Sequence, residues 1–85
     1  MTYSVVVLSA AARTLAKLPS LTRERLRRSI DALADNPRPA GARKLSGQRD
    51  LFRIRAGDCR VIYEIQDERL IVLVVKVGHR RDVYR

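Results

Sequence analysis

Residues 51–66, LFRIRAGDCRVIYEIQ, read as a β-hairpin whose two faces differ in character. Gly57-Asp58 suits a two-residue primed turn, in which glycine supplies the positive φ that such turns demand. That turn sets the register. It pairs Ala56 with Cys59, Ile54 with Val61 and Phe52 with Tyr63 on an apolar face, and Arg55 with Arg60 and Arg53 with Ile62 on the other. Like charges directly opposite each other on a sheet are unfavourable, so a strand pair that sets Arg55 across from Arg60 gains little from doing so and marks a place for an anion.

Working outward towards the N terminus, residues 40–47, AGARKLSG, form a basic loop with a brief strand around Leu45, and they add Arg43 and Lys44 to the positive surface. Asn36-Pro37-Arg38-Pro39 stops whatever precedes it, because a proline excludes the α region for its predecessor and cannot continue a helical ladder. The preceding element is a helix over about residues 21–35 that buries Leu26, Ile30 and Leu33 and carries Arg25, Arg27 and Arg28 on its outer face. Those arginines fit a solvated helix face and fit contact with a nucleic-acid backbone or an acidic partner equally well. Pro19-Ser20 separates this helix from a shorter, alanine-rich one over residues 9–18, with Ser9 as N-cap and Ala11, Leu15 and Leu18 as its apolar stripe. Residues 3–8, YSVVVL, make a first strand by their β-branched content.

On the C-terminal side a second tight turn near Asp67-Glu68 leads to residues 70–77, LIVLVVKV, whose continuous apolar character predicts a central strand covered on both faces and ended by Gly78. The tail HRRDVYR is charged, with one aromatic, Tyr84. The whole is read as one α+β domain over residues 1–85, in the order β-α-α-β-β-β, with the helical pair on one face of a small, mainly antiparallel twisted sheet. The arginine face must be at least partly open, since Arg53, Arg55 and Arg60 cannot all be buried unpaired.

With 85 residues the chain supports one modest core, and a 46% hydrophobic content argues for a folded domain despite 32% charged residues. Eighteen Lys and Arg against nine Asp and Glu give +9 at neutral pH, which suits an anionic polymer, and the excess of arginine over lysine favours bidentate phosphate binding. An acidic protein partner satisfies the same field. The single cysteine, Cys59, excludes an internal disulfide framework and falls on the apolar face, where a thiol packs as a small hydrophobe. The longest apolar run, 70–75, is too short to span a membrane, so no membrane association and a cytoplasmic location are expected.

The sequence has no cysteine pair, no histidine pair and no HExxH, so no metal site is expected; it has no GxxxxGK[ST] or GxGxxG either, so no nucleotide cofactor is expected. What remains is a set dominated by cations: Arg53, Arg55, Arg60, Arg80, His79, Tyr84 and Glu64. That set suits phosphodiester chemistry on RNA, where the 2′-hydroxyl attacks its own adjacent phosphorus and the protein need only hold the backbone in line and neutralise developing charge. Tyr84 can stack on a base or tuck against the sheet, His79 can move a proton or merely close a strand end, and Glu64, by sheet parity, is read as an ion-pair partner of Arg60.

The element order, the segment NPRPAGARKLSG (36–47), the hairpin with GDCRVIYEI (57–65) and the ending VGHRRDVYR (77–85) resemble the RelE branch of the RelE/ParE toxin superfamily of toxin-antitoxin modules, nearly end to end. The resemblance implies the RelE-like microbial ribonuclease fold and a metal-independent messenger-RNA endoribonuclease that works in the ribosomal decoding site. It also implies inhibition by a RelB-like antitoxin in a hetero-oligomeric complex; the net charge of +9 predicts that the antitoxin carries an acidic segment that covers the basic sheet face or docks on the helices. By the same resemblance Arg53, Arg55 and Arg60 bind the scissile phosphate, Arg80 assists the leaving 5′-oxygen and Tyr84 stacks on the nucleotide. From charge alone, Arg25, Arg28, Arg43, Lys44 and Arg81 are expected to contribute to RNA binding. The chain departs from the family pattern at Arg53 and Arg55, where the best-understood member has lysines, one of them proposed as general base; arginine does not readily release a proton, so either the base lies elsewhere, with His79 the first candidate, or arginine acts through electrostatics and cleavage is slower. The alternatives are a ParE-like toxin that poisons DNA gyrase and a non-catalytic homologue that binds RNA or antitoxin.

Overall fold

The computed structural model describes residues 2–45, 47 and 50–79. Strand β1, Ser4–Val7, turns its alternate valines Val5 and Val7 towards the core, as β-branched residues on a half-buried pleat do. Helix α1, Ser9–Lys17, begins one residue earlier than a Ser9 cap implies: Leu8 is the N-cap, its carbonyl accepts from the Ala12 N–H at 2.9 Å, and no side chain caps the helix. Ala11 and Leu15 are buried and Leu18 packs against the core, as the apolar spacing predicts. Helix α2 spans Ser20–Ala32, with Pro19 as N-cap. Arg23 from α2 reaches back to the C-terminal carbonyls of α1, donating to Ala16 O at 3.3 Å and Leu18 O at 3.4 Å, which joins the two helices at their corner. The α2 ladder stops short of the expected residue 35 because its final turn tightens: Leu33, Ala34 and Asp35 each donate to the carbonyl three residues back before Asn36-Pro37 ends the element.

Five strands form one sheet in the order β1-β5-β4-β3-β2. Strand β2 is only Arg43–Lys44, β3 is Leu51–Ala56, β4 is Cys59–Gln66 and β5 is Ile71–His79. The β3–β4 register is the expected one at every quoted pair, and Gly57 takes φ 62° while Asp58 keeps a negative φ, as a primed turn with glycine first requires. All neighbouring pairs are antiparallel except β1 with β5, which run parallel because the helical pair and the hairpins intervene between them. The expected tight turn between β4 and β5 is a single 3-10 turn, Asp67–Arg69, closed by Leu70 at φ 54°.

The helices lie on one face of the sheet. Tyr63, Leu26, Leu33, Ile65, Val61, Val72 and Val74 are the largest fully buried side chains and form the centre of that layer. Strand β5 lies inside the sheet, as expected, with Val72, Val74, Val77 and Gly78 buried, but Ile71, Leu73 and Val75 are half-buried, so it is less covered than its apolar run suggests. It also runs through Gly78 to His79, because Gly78 still pairs with Arg60 and His79 with Cys59. None of the described helices is long and apolar enough to cross a membrane.

Candidate nucleic-acid interface

Pairing across the sheet aligns cations on the face away from the helices. Directly opposite residues share a face, so Arg43 opposite Arg53 and Arg55 opposite Arg60 put four guanidinium groups on one side of β2, β3 and β4. Arg55 and Arg43 are exposed, Arg53 is half-buried and Arg60 keeps only 9% of its surface. Both cross-strand pairs are like-charged and cost stability without an anion between them. Among the described residues the one ion pair is elsewhere, between Arg38 and Asp67, so the exposed arginines of this face have no carboxylate of their own. At the other end of β4, about 13 Å of extended strand from Arg60, Glu64 Oε2 accepts a 2.9 Å hydrogen bond from Gln66 Nε2. Its described partner is therefore a neighbouring amide.

The hairpin turn gathers a further cation from the helical layer. A Cβ built on Gly57 stands 3.4 Å from Arg25 Nη1, so Arg25 reaches the turn that joins Arg55 to Arg60. Arg28 is exposed one turn further along α2. At the outer edge Arg43, Arg53 and Arg55 border an open groove of about 660 Å³ together with Leu33, Asn36 and Pro39. Lys44 takes the parity of Phe52, on the helix side, and is not brought to the arginine face. His79 pairs with Cys59 and so takes the parity of the buried apolar face, opposite to that of Arg60. Arg80, Arg81 and Tyr84 lie outside the described residues. One cation on this face escaped the sequence reading: Lys76, opposite Ile62, is exposed and shares the parity of Arg53.

A second cluster holds the loop before β2 against the sheet. Arg38 forks onto Asp67 with Nη1 to Oδ1 at 3.2 Å and Nη2 to Oδ2 at 2.8 Å, and Tyr3 donates its hydroxyl to Asp67 Oδ1 at 2.6 Å. These hydrogen bonds, the one from Arg38 first, hold the Asp67 carboxyl below the usual carboxylate range. The Arg38 guanidinium stands 5.4 Å from the Phe52 ring centroid, and Phe52 stacks on Tyr63 at 6.0 Å. Tyr63, its hydroxyl donating to Pro37 O at 2.7 Å, has its pKa pushed up to about 12 by burial. Burial also pushes the Cys59 thiol up, which keeps it protonated and packed in the core. Among the described residues no three His, Cys, Asp or Glu side chains gather as a metal-ligand set.

Residues 5–84 match the family described as the ParE toxin of type II toxin-antitoxin systems, parDE, and the chain belongs to the RelE/ParE toxin superfamily. Within it the chain sits in the RelE-like branch. It is 34% identical over 89 residues to the toxin RelG of Mycobacterium tuberculosis, with 100% of this chain and 99% of the relative covered. It is 36% identical over 66 residues to the mRNA interferase toxin RelE of Escherichia coli K12, covering 75% of this chain and 68% of that protein. The toxin fold in the archaeal RelE–RelB complex from Pyrococcus horikoshii superposes with a TM-score of 0.84 at 31% identity, covering 98% of this chain and all (100%) of that one.

Proposed function

We propose that this chain is the toxin of a type II toxin-antitoxin module and acts as a messenger-RNA endoribonuclease on the ribosome, cleaving in the decoding site without a metal. The observation that carries the reading is the register that sets Arg43 against Arg53 and Arg55 against Arg60 on the sheet face opposite the helices. Relatives named mRNA interferase supply the class of reaction. The RNA 2′-oxygen attacks the adjacent phosphorus, the bond to the 5′-oxygen breaks, and a 2′,3′-cyclic phosphate and a 5′-hydroxyl result. Arg53, Arg55 and Arg60 hold the scissile phosphate and the charge that builds on it, Arg80 neutralises the leaving oxygen, and Tyr84 stacks on the nucleotide. One well-aimed donor to a developing oxyanion is worth roughly 3 kcal/mol, so a few suffice for a large rate effect. Arg25, Arg28, Arg43 and Arg81 form the wider RNA-binding field, from which the helix-side position of Lys44 removes it. His79 stands as the first candidate for the general base, acting from the end of β5 rather than as a member of the cradle, because its strand position has the opposite parity to the arginines.

Ribosomal action places the protein in the cytoplasm. A RelB-like antitoxin with an acidic segment neutralises the basic surface, as expected for a chain of net charge +9 whose structural relatives include RelE–RelB complexes. The parDE description of the matching family favours a second reading, a gyrase-poisoning toxin. Induction in a bacterial host separates the two. Translation-dependent cuts at codon-defined positions, mapped from transcript ends, are the expected result; intact messages with an SOS response and trapped gyrase complexes overturn the ribonuclease.

A further inference from the structure

The apolar run of β5 carries one charge that strict alternation would bury. Val72 and Val74 point to the helix layer, so an unbroken two-residue period sends residue 76 the same way. The pairing breaks that period. Ile62 of β4 faces Lys76, but the next residue, Tyr63, faces Val74, so Val75 is an extra residue with no opposite number: a β-bulge. The bulge reverses parity for the rest of the strand. It sends Val77, 3% exposed, into the core, and it places Lys76 and Gly78 on the arginine face.

There Lys76 completes a row across four strands: Arg43, Arg53, Ile62, Lys76. At about 4.8 Å between neighbouring strands the row is roughly 14 Å long, a distance that about four nucleotides of a stacked strand cover at about 3.4 Å each. Lys76 also stands diagonally beside Arg60, whose directly opposite residue, Gly78, has no side chain to intervene. Lys76 is exposed, and among the described residues it makes no hydrogen bond or ion pair that would give it a structural duty.

We propose that Lys76 is a substrate-contacting residue of the RNA face, a phosphate ligand at the β5 end of the arginine row, and that the bulge at Val75 is what delivers it. The inference rests on the reading of the arginine face as an RNA site and extends that site by one strand, so that the bound backbone runs across the strands from β2 to β5. A lysine serves this position as a point charge on a flexible stem, whereas the guanidinium forks beside it fix geometry.

The test uses a single-stranded oligoribonucleotide carrying a 2′-O-methyl group at every position, which removes the attacking hydroxyl and keeps the phosphates. Its affinity for the full chain is measured by fluorescence anisotropy over a series of salt concentrations. Each phosphate contact contributes about 0.7 to the slope of log affinity against log salt for a single strand. Lys76→Ala is expected to lower that slope by about 0.7, and Lys76→Arg is expected to restore it. Lys17→Ala, which removes the same charge from the exposed side of α1, serves as the control and is expected to leave the slope in place. Thermal melts confirm that the variants fold. A Lys76→Ala slope equal to that of the wild type, or a Lys17→Ala loss as large as that of Lys76→Ala, overturns the proposal. Failure of the wild-type protein to bind the oligonucleotide overturns instead the RNA reading on which it stands.

Discussion

Arg60 concentrates the cost and the use of this protein's charge in one side chain. It keeps 9% of its surface, faces Arg55 directly, and stands opposite a glycine. A guanidinium held in so little water is fixed in place before substrate arrives, and a preorganised donor of this kind acts most strongly on the charge that builds in the transition state of RNA cleavage. Replacing Arg60 with alanine is therefore expected to slow cleavage on programmed ribosomes by about a hundredfold to a thousandfold, the range for loss of one donor to a developing oxyanion. Arg60→Lys keeps the charge but loses the planar fork, so its rate falls between the two. Circular dichroism and antitoxin capture show whether the variants remain folded. A soluble Arg60→Ala protein that arrests growth as fast as the wild type refutes the role.

At the scale of elements, the hairpin decides how the arginines are aligned, and its turn is the point at which that alignment is most easily lost. Gly57 has φ 62°, a conformation that a β-branched residue resists, and its surroundings hold Arg25 Nη1 at 3.4 Å from any added Cβ. Gly57→Val is expected to destabilise the fold by about 1–2 kcal/mol through the backbone alone, read as a lower urea midpoint with an unchanged slope. An unchanged midpoint would show that the turn relaxes without cost. This hairpin was legible in the sequence because a two-residue turn leaves one register and the alternation on both strands agrees with it. The helix stripes were legible for the same reason, Ala11 and Leu15 on one and Leu26 and Ile30 on the other being buried as spaced. The bulge was not. LIVLVVKV carries no turn residue and no break in apolar character before Lys76, so a period-2 reading has nothing to mark the slip at Val75. The one available signal is a lysine where alternation demands a core side chain, with Val77 directly after it. The same slip explains why His79, next to the arginines in sequence, takes the opposite parity. The parallel pairing of β1 with β5 was equally silent, since sequence order alone does not say which edge the first strand joins.

Across the whole molecule the fold divides its labour between two ends of one strand. The hairpin end of β4 carries Arg60 and its neighbours, while the far end, seven residues or about 23 Å away, carries Asp67 beyond Gln66 and holds the chain together there. Asp67 ties three distant segments: Tyr3 before β1, Arg38 in the loop before β2, and the β4–β5 connection itself. Because Arg38 and Tyr3 favour the ionised carboxyl, its folded-state pKa lies below the ordinary value of about 3.9. A group depressed in this way contributes stability that is fully present above its unfolded pKa and is lost as the pH falls through the folded one. Asp67→Asn removes the charge at every pH, so the wild type is expected to exceed the variant in urea midpoint at pH 7 and pH 5 and to converge on it as the pH falls through the lowered folded-state pKa. A midpoint gap that stays constant from pH 7 into strong acid would sink the assignment. The separation of the two ends adds a second expectation: Asp67→Asn retains wild-type cleavage at pH 7 while losing stability, whereas Arg60→Ala loses cleavage and stays folded. A variant at either end that loses both functions together would mean that the loop before β2 couples them, through the stacking of Arg38 on Phe52 and of Phe52 on Tyr63.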